Sequence, residues 1–167
     1  MRVLPQLAAT VTGIGAALLF TAGVASASGT PLSQTQAEAR LIPNGITAAS
    51  PGGCTDKKNP SCVSYEGILS GTVEGVIDLK KASGVASLTV VGGTEVGHGE
   101  DGKYSHSNGY KIDLQPSPAL DNYIKSTFQY VGLRDDGFPM WKSASGDLYC
   151  DEASHSGIPA HWDIVYY

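Results

Sequence analysis

Residues 109–114 read GYKIDL and alternate between polar and apolar side chains, the pattern of a half-buried β-strand. A second stretch, residues 86–91, reads ASLTVV and ends at Gly92-Gly93. Its β-branched side chains predict a buried strand. Between the two lies a glycine-rich loop, residues 94–108, with the sequence TEVGHGEDGKYSHSN. We therefore expect two strands joined by a long polar loop.

Apolar side chains recur at helical spacing in two other stretches. Residues 64–81 predict a helix with one buried face, and Gly84 follows as a stop signal. Residues 117–130 predict a second helix, with Pro118 in the favoured position near its start. Each helix is expected to pack its apolar face against the strands.

Two short stretches near the end of the chain, residues 148–150 and 161–166, predict the last strands. The resulting order is helix, strand, strand, helix, strand, strand. That order predicts an α+β fold with a small antiparallel sheet and helices on one face. We expect a single domain over residues 62–167, preceded by a spacer rich in Ser, Gly and Pro over residues 28–61.

The first 27 residues have the features of a secretory signal peptide. A basic Arg2 is followed by an apolar run and then by the small-residue site Ala25-Ser26-Ala27. A transmembrane anchor is the alternative, but the run from Val11 to Val24 is short and broken by glycines. The sequence therefore predicts a secreted protein with no membrane span after signal cleavage.

Secretion places the three cysteines in a compartment that allows disulfides. Cys54 and Cys62 flank the polar, turn-rich loop TDKKNPS and are expected to form a local disulfide. Pairing of Cys150 with one of them is the alternative, because sequence alone does not fix connectivity.

The charge balance argues against one class of partner. The chain has 11 Lys and Arg against 16 Asp and Glu, a formal charge of −5. A protein that neutralises many nucleic-acid phosphates requires the opposite balance, so no nucleic-acid partner is expected. Residues 97–103 match the spacing of a P-loop. Tyr104 nevertheless stands where Ser or Thr would bind Mg²⁺, and a strand follows in place of a helix.

Candidate metal ligands occur on two of the predicted strands. His106 precedes Asp113 by seven residues, and a turn at Asn108-Gly109 allows both side chains to reach one ion. His161, at the start of the last strand, supplies a third donor. Two imidazole nitrogens and one carboxylate, with water in the fourth position, form an open catalytic zinc site. The alternative is a hydrogen-bonded His–Asp turn pair and a histidine at the edge of the core.

These residues also match a family pattern, Ser-x-His-x-x-Gly-x-Ala-x-Asp, at His106, Gly109 and Asp113. Later in the chain, His161 is followed by the aromatic Trp162, as the pattern requires. The chain thus resembles the zinc D-Ala-D-Ala carboxypeptidases and peptidoglycan endopeptidases of the Hedgehog/DD-peptidase fold. The resemblance implies Zn²⁺ as cofactor, bound by the two histidines and the aspartate, and it gives no role to His98.

The resemblance also implies a general base three residues before the last ligand, and here the chain differs. Ile158 occupies that position, while Glu152 lies further upstream and itself stands three residues before His155. Either an insertion separates Glu152 from His161, or Glu152 and His155 form the unit. We expect the insertion, with Glu152 as the base.

The predicted function is a secreted zinc-dependent peptidase acting on peptidoglycan-type peptides. The arginine that such peptidases often offer to a substrate carboxylate is replaced by residues 92–95, GGTE. An internal cross-link or a basic peptide is therefore the expected substrate, and the acidic residues Glu95, Glu100 and Asp101 agree with this. A non-catalytic, zinc-stabilised binding module of the same fold is the alternative. A monomer is the default expectation.

Overall fold

The computed structural model describes residues 29–99 and 102–167. The predicted signal peptide, residues 1–27, lies outside this range. None of the helices in the described ranges is both long enough and apolar enough to cross a membrane.

The described chain forms three α-helices and seven strands, with two short 3-10 helices at residues 42–44 and 51–53. The helices are α1 (Gln34–Leu41), α2 (Ser70–Ser83) and α3 (Pro118–Thr127). The strands are β1 (Ile46–Ala48), β2 (Leu88–Gly92), β3 (Lys111–Leu114), β4 (Gln129–Leu133), β5 (Pro139–Lys142), β6 (Leu148–Glu152) and β7 (His161–Val165).

The strands form one sheet in the order β1-β2-β3-β7-β6-β5-β4. The predicted α+β class is confirmed, but the sheet is larger than expected and is mixed. Strand β1 runs parallel to β2, whereas the other neighbouring pairs are antiparallel. Strand β1 at one edge and strands β5 and β4 at the other were not part of the predicted sheet.

The two faces of the central strands differ in chemistry. Side chains alternate along a strand, so Ile112 and Leu114 of β3 and Trp162 and Ile164 of β7 point to the same face. They are fully buried in one core with apolar side chains of all three helices. The opposite face carries the polar residues of the same strands. The fold thus separates an apolar face covered by helices from a polar face that holds ionisable groups.

Part of the predicted spacer, residues 28–61, belongs to this core, and the spacer prediction is wrong for it. Helix α1 begins after Ser33, whose side chain accepts from Gln36 in a capping box, and it buries Ala37 and Leu41. Strand β1 follows and pairs with β2. The helix is too short to be stable alone, so packing against α2 is what stabilises it.

Both predicted helices are shorter than expected because local hydrogen bonds compete with helix formation. Helix α2 begins at Ser70 and not at Ser64, since the Ser64 amide donates to the Glu95 carboxylate. Helix α3 ends at Thr127, where Phe128 becomes extended. The following residues form the β4–β5 hairpin, whose loop contains Arg134.

The cysteine prediction is confirmed. Cys54 and Cys62 form a disulfide, and Cys150 is a buried free thiol. Cys150 lies on β6, where burial raises the pKa of its thiol to about 12. Such a thiol is protonated at neutral pH and is a poor nucleophile.

Candidate metal centre

The polar face of three adjacent strands forms the floor of the site. In the ladder, Asp113 of β3 lies opposite Asp163 of β7, which lies opposite Cys150 of β6. Two residues along, His161 lies opposite Glu152. Because side chains on one face recur at every second residue, these groups project to the same side of the sheet. Strand register therefore assembles the acidic groups and His161 without any contribution from loops.

Loops bring two further histidines to the same place. His106 lies in a tight turn before β3, where the Gly109 amide donates to the His106 carbonyl at 2.8 Å. His98 comes from the loop after β2. The two imidazole rings are stacked, with centroids 3.9 Å apart and planes 13° from parallel.

Asp113 is the point at which the three histidines meet. Its Oδ1 lies 3.3 Å from His106 Nε2. Its Oδ2 lies 3.6 Å from His98 Nδ1 and 4.0 Å from His161 Nε2. The carboxylate is buried, with a side-chain exposure of 7%. One carboxylate thus faces three ring nitrogens inside the fold.

The other nitrogen of each ring is close to a hydrogen-bond acceptor. The Gly93 carbonyl lies 2.7 Å from His106 Nδ1, and the Pro159 carbonyl lies 3.0 Å from His161 Nδ1. Glu95 Oε1 lies 3.0 Å from His98 Nε2. A proton on each of these nitrogens satisfies the acceptor and leaves the nitrogen that faces Asp113 with a free lone pair. Metal-binding histidines in proteins are oriented in this way.

The donor set fits a divalent metal ion. Ligand atoms of His98, His106 and Asp113 all lie within 4.8 Å of one another. A tetrahedral site with bonds of about 2.0 Å requires neighbouring donors about 3.3 Å apart. Asp113 Oδ1 is buried and receives no hydrogen bond from the described residues. These three side chains can therefore bind a metal ion, and nitrogen and oxygen donors of this kind suit several transition metals.

The two predicted histidine ligands lie at different distances from the Asp113 carboxylate, 3.3 Å for His106 and 4.0 Å for His161. His106 and Asp113 are adjacent, as their spacing and the turn between them predicted. His161 is further away, and the tightest set contains His98 in its place. His98 was not predicted as a ligand from the sequence. The sequence feature that could have identified it is its position in the loop between two strands predicted to belong to the same sheet, the loop that also carries His106.

The charges of the cluster are strongly coupled. Burial opposes protonation of His106, but the adjacent Asp113 and Asp163 carboxylates outweigh it and raise the pKa of His106 to about 9. Burial likewise opposes ionisation of Asp163, but Lys111 and His106 hold the pKa of Asp163 below its ordinary value. Without a metal ion, His106 is thus an imidazolium at neutral pH, and a cation is favoured at this position.

Glu152 lies beside His161, with its Oε2 3.4 Å from His161 Nε2. The intervening residues 153–160 form the connection between β6 and β7, and the ladder pairs Glu152 with His161. His155 lies on this connection, where its ring packs against Phe138 with centroids 4.9 Å apart. Ile158 is 48% exposed. Glu152 Oε2 thus lies nearer to His161 Nε2 than to His155 Nε2, which is 3.9 Å away.

An arginine that the sequence analysis did not identify positions Glu152. Arg134 Nη2 donates to Glu152 Oε1, and Arg134 Nη1 donates to Asp163 Oδ2 at 2.8 Å. Arg134 also binds Asp136 of its own hairpin loop. The feature that could have identified it is the turn sequence Arg134-Asp135-Asp136-Gly137, in a region after residue 130 to which no strand was assigned.

The site opens into a cleft of about 910 Å³. Its lining includes all four histidines, Asp113, Glu152 and Glu95. Glu95 was expected to attract a basic peptide, but it is only 3% exposed and binds the amides of Ser64 and Gly93. Its carboxylate is therefore part of the internal structure of the site. Glu100 and Asp101 lie outside the described residues.

A scan of the chain against known protein families gives no match, and neither do searches of curated proteins and solved structures. The chemistry of the cleft is thus the basis on which the function of this protein is inferred.

Proposed function

We propose that this protein is a secreted, zinc-dependent peptidase that acts on peptidoglycan-type peptides. His106, Asp113 and His161 are the proposed zinc ligands, and Glu152 is the proposed general base. The observation that supports catalysis most directly is the position of Glu152. Its free oxygen lies 3.4 Å from a ligand nitrogen, on the floor of an open cleft.

When bound, zinc would polarise the scissile carbonyl and lower the pKa of a water molecule. In this proposal, Glu152 Oε2 accepts a proton from the attacking water and transfers it to the leaving amine as the C–N bond breaks. Arg134 fixes the other oxygen of Glu152, which leaves Oε2 directed at His161. The backbone carbonyls of Gly93 and Pro159 keep the ligand nitrogens of His106 and His161 aimed at Asp113.

The charges in the cleft favour an internal peptide bond over a free C-terminal carboxylate. Among the described residues that line it, the lysine and the arginine, Lys111 and Arg134, are both paired with Asp163. Binding of a substrate carboxylate would require taking one of these cations away from the buried Asp163 carboxylate, which is costly. A cross-link peptide bond needs no such cation.

Secretion is part of the proposal and rests on two features. The sequence of residues 1–27 has the pattern of a signal peptide, and the Cys54–Cys62 disulfide suits an oxidising compartment. N-terminal sequencing of protein recovered from the culture medium tests this part. A mature chain beginning at Ser28 is the expected result.

Metal analysis of the purified mature protein and digestion of cell-wall sacculi test the catalytic part. We expect one zinc per chain and release of peptides that chelation of the metal abolishes. Absence of any bound metal would refute the proposal.

A second candidate is a zinc-stabilised binding module with no turnover. The closeness of His98 to Asp113 favours this candidate, because a fourth protein ligand leaves no position for water. One zinc per chain without release of any peptide would select it.

A further inference from the structure

We infer that His98 is a fourth protein ligand, which closes the coordination position that a catalytic zinc site keeps open. The inference rests on the proposed metal site and deepens it, because it assigns the resting state of that site. In this state the centre has four protein ligands, and the loop that carries His98 must move before a peptide can bind.

The distances place His98 in the metal-binding set at least as firmly as His161. His98 Nδ1 lies 3.6 Å from Asp113 Oδ2, whereas His161 Nε2 lies 4.0 Å from the same oxygen. The His98 ring also stacks on the His106 ring. Donors about 3.3 Å apart are required by a tetrahedral zinc site, so both distances need only small movements on metal binding.

Glu95 fixes the orientation of His98. Its carboxylate binds His98 Nε2, which leaves Nδ1 as the nitrogen that faces Asp113. The amides of Ser64 and Gly93 donate to the same carboxylate and hold it in place. Glu95 is thus a fixed carboxylate behind a metal-facing imidazole, an arrangement typical of zinc ligands.

The main chain provides the space in which His98 and Asp113 approach each other. A Cβ atom on Gly92 would lie 2.3 Å from Asp113 Oδ2 and 2.8 Å from His98 Cε1. Both contacts are too short for real atoms, so only glycine permits this approach. A glycine at position 92 therefore allows His98 and Asp113 to come close enough to bind the same metal ion.

The loop that carries His98 is attached to the disulfide-linked segment of the chain. The Val96 amide donates to the Lys57 carbonyl at 2.9 Å, and the Thr94 amide donates to the Ser64 carbonyl at 2.7 Å. These contacts hold the loop over the cleft. His98 is still 22% exposed, compared with 7% for Asp113. Of the two side chains, His98 is therefore the one that must leave the metal ion, together with its loop, before a peptide substrate can bind.

The test uses the full secreted chain loaded with Co²⁺, whose absorption bands report the number and type of ligands. Azide serves as the probe, because it binds cobalt only where a coordination position is open or held by water. We expect the wild-type spectrum to be unchanged by azide and the spectrum of His98→Ala to shift with it. His98→Ala should also bind zinc more weakly than the wild type. Loss of a group that only hydrogen-bonds to a ligand lowers metal affinity by about 10–100-fold, and loss of a ligand should lower it at least as much.

His155→Ala is the matched control, since His155 lines the same cleft and is not a proposed ligand. It should behave like the wild type in both measurements. A wild-type spectrum that shifts with azide as fully as that of His98→Ala would overturn this inference and leave the proposed peptidase intact. A wild-type chain that binds neither metal would instead refute the proposed function. The wild-type measurement decides the question even when His98→Ala fails to fold.

Discussion

Raising the pH should weaken the metal-free protein and strengthen metal binding over the same range, because both depend on one proton on His106. The pKa of this group is about 9 in the fold, whereas that of an unperturbed imidazole is about 6.5. The raised pKa means that the folded state holds the proton more tightly than the unfolded chain. The resulting stability is fully present below pH 6.5 and is lost as the pH rises through 9.

The size of the effect follows from the shift. A difference of two to three pKa units corresponds to about 3 kcal/mol of unfolding free energy for a single group. The proton and the metal compete for His106 Nε2, so apparent zinc affinity should rise up to about tenfold per pH unit until pH 9. The two observables therefore change in opposite directions.

Denaturant unfolding of the protein in a chelator, at a series of pH values from 6 to 9.5, measures the first quantity. Competition with a zinc indicator measures the second. His106→Gln, which cannot titrate, is the control, and it should lose most of the pH dependence of metal-free stability in this range. A metal-free stability of the wild type that is flat or rises between pH 6.5 and 9 would refute the assignment of an ion-paired His106.

Three further predictions concern the site. His106→Ala, Asp113→Ala and His161→Ala should each abolish stoichiometric zinc, measured by elemental analysis after gel filtration, because the remaining donors hold the ion weakly. Retention of zinc by the Asp113 variant would contradict the central position of that carboxylate. Glu152→Gln should keep both zinc and fold but lower turnover on sacculi by about 10²–10⁴, the usual contribution of a general base; undiminished turnover would exclude Glu152 from proton transfer. Gly92→Ala should lose zinc, since the new Cβ would contact Asp113 Oδ2 at 2.3 Å, and zinc affinity equal to the wild type would show that the site does not need this close approach.

The sequence by itself determined the elements that depend on local pattern. Alternation over residues 109–114 and the short stretch at residues 161–166 identified the two central strands, and the spacing of His106 and Asp113 around a tight turn predicted that the two side chains meet. The eight-residue separation of Cys54 and Cys62 around a polar loop predicted their disulfide. In each case, the residues that form the feature are close along the chain, so the local sequence is enough to predict it.

Tertiary structure decided the rest, because it depends on which distant segments meet. Helix α1 and strand β1 are too short to have a strong pattern, and packing stabilises them. The pairing of Glu152 with His161 follows from the β6–β7 register. The connection between these strands, residues 153–160, has no sequence pattern from which this register could be predicted. His98 and Arg134 reach the site on loops whose paths are fixed by hydrogen bonds to remote backbone and carboxylate groups. Sequence thus supplied the chemistry of the centre, while long-range strand register and loop anchoring selected the side chains that surround it.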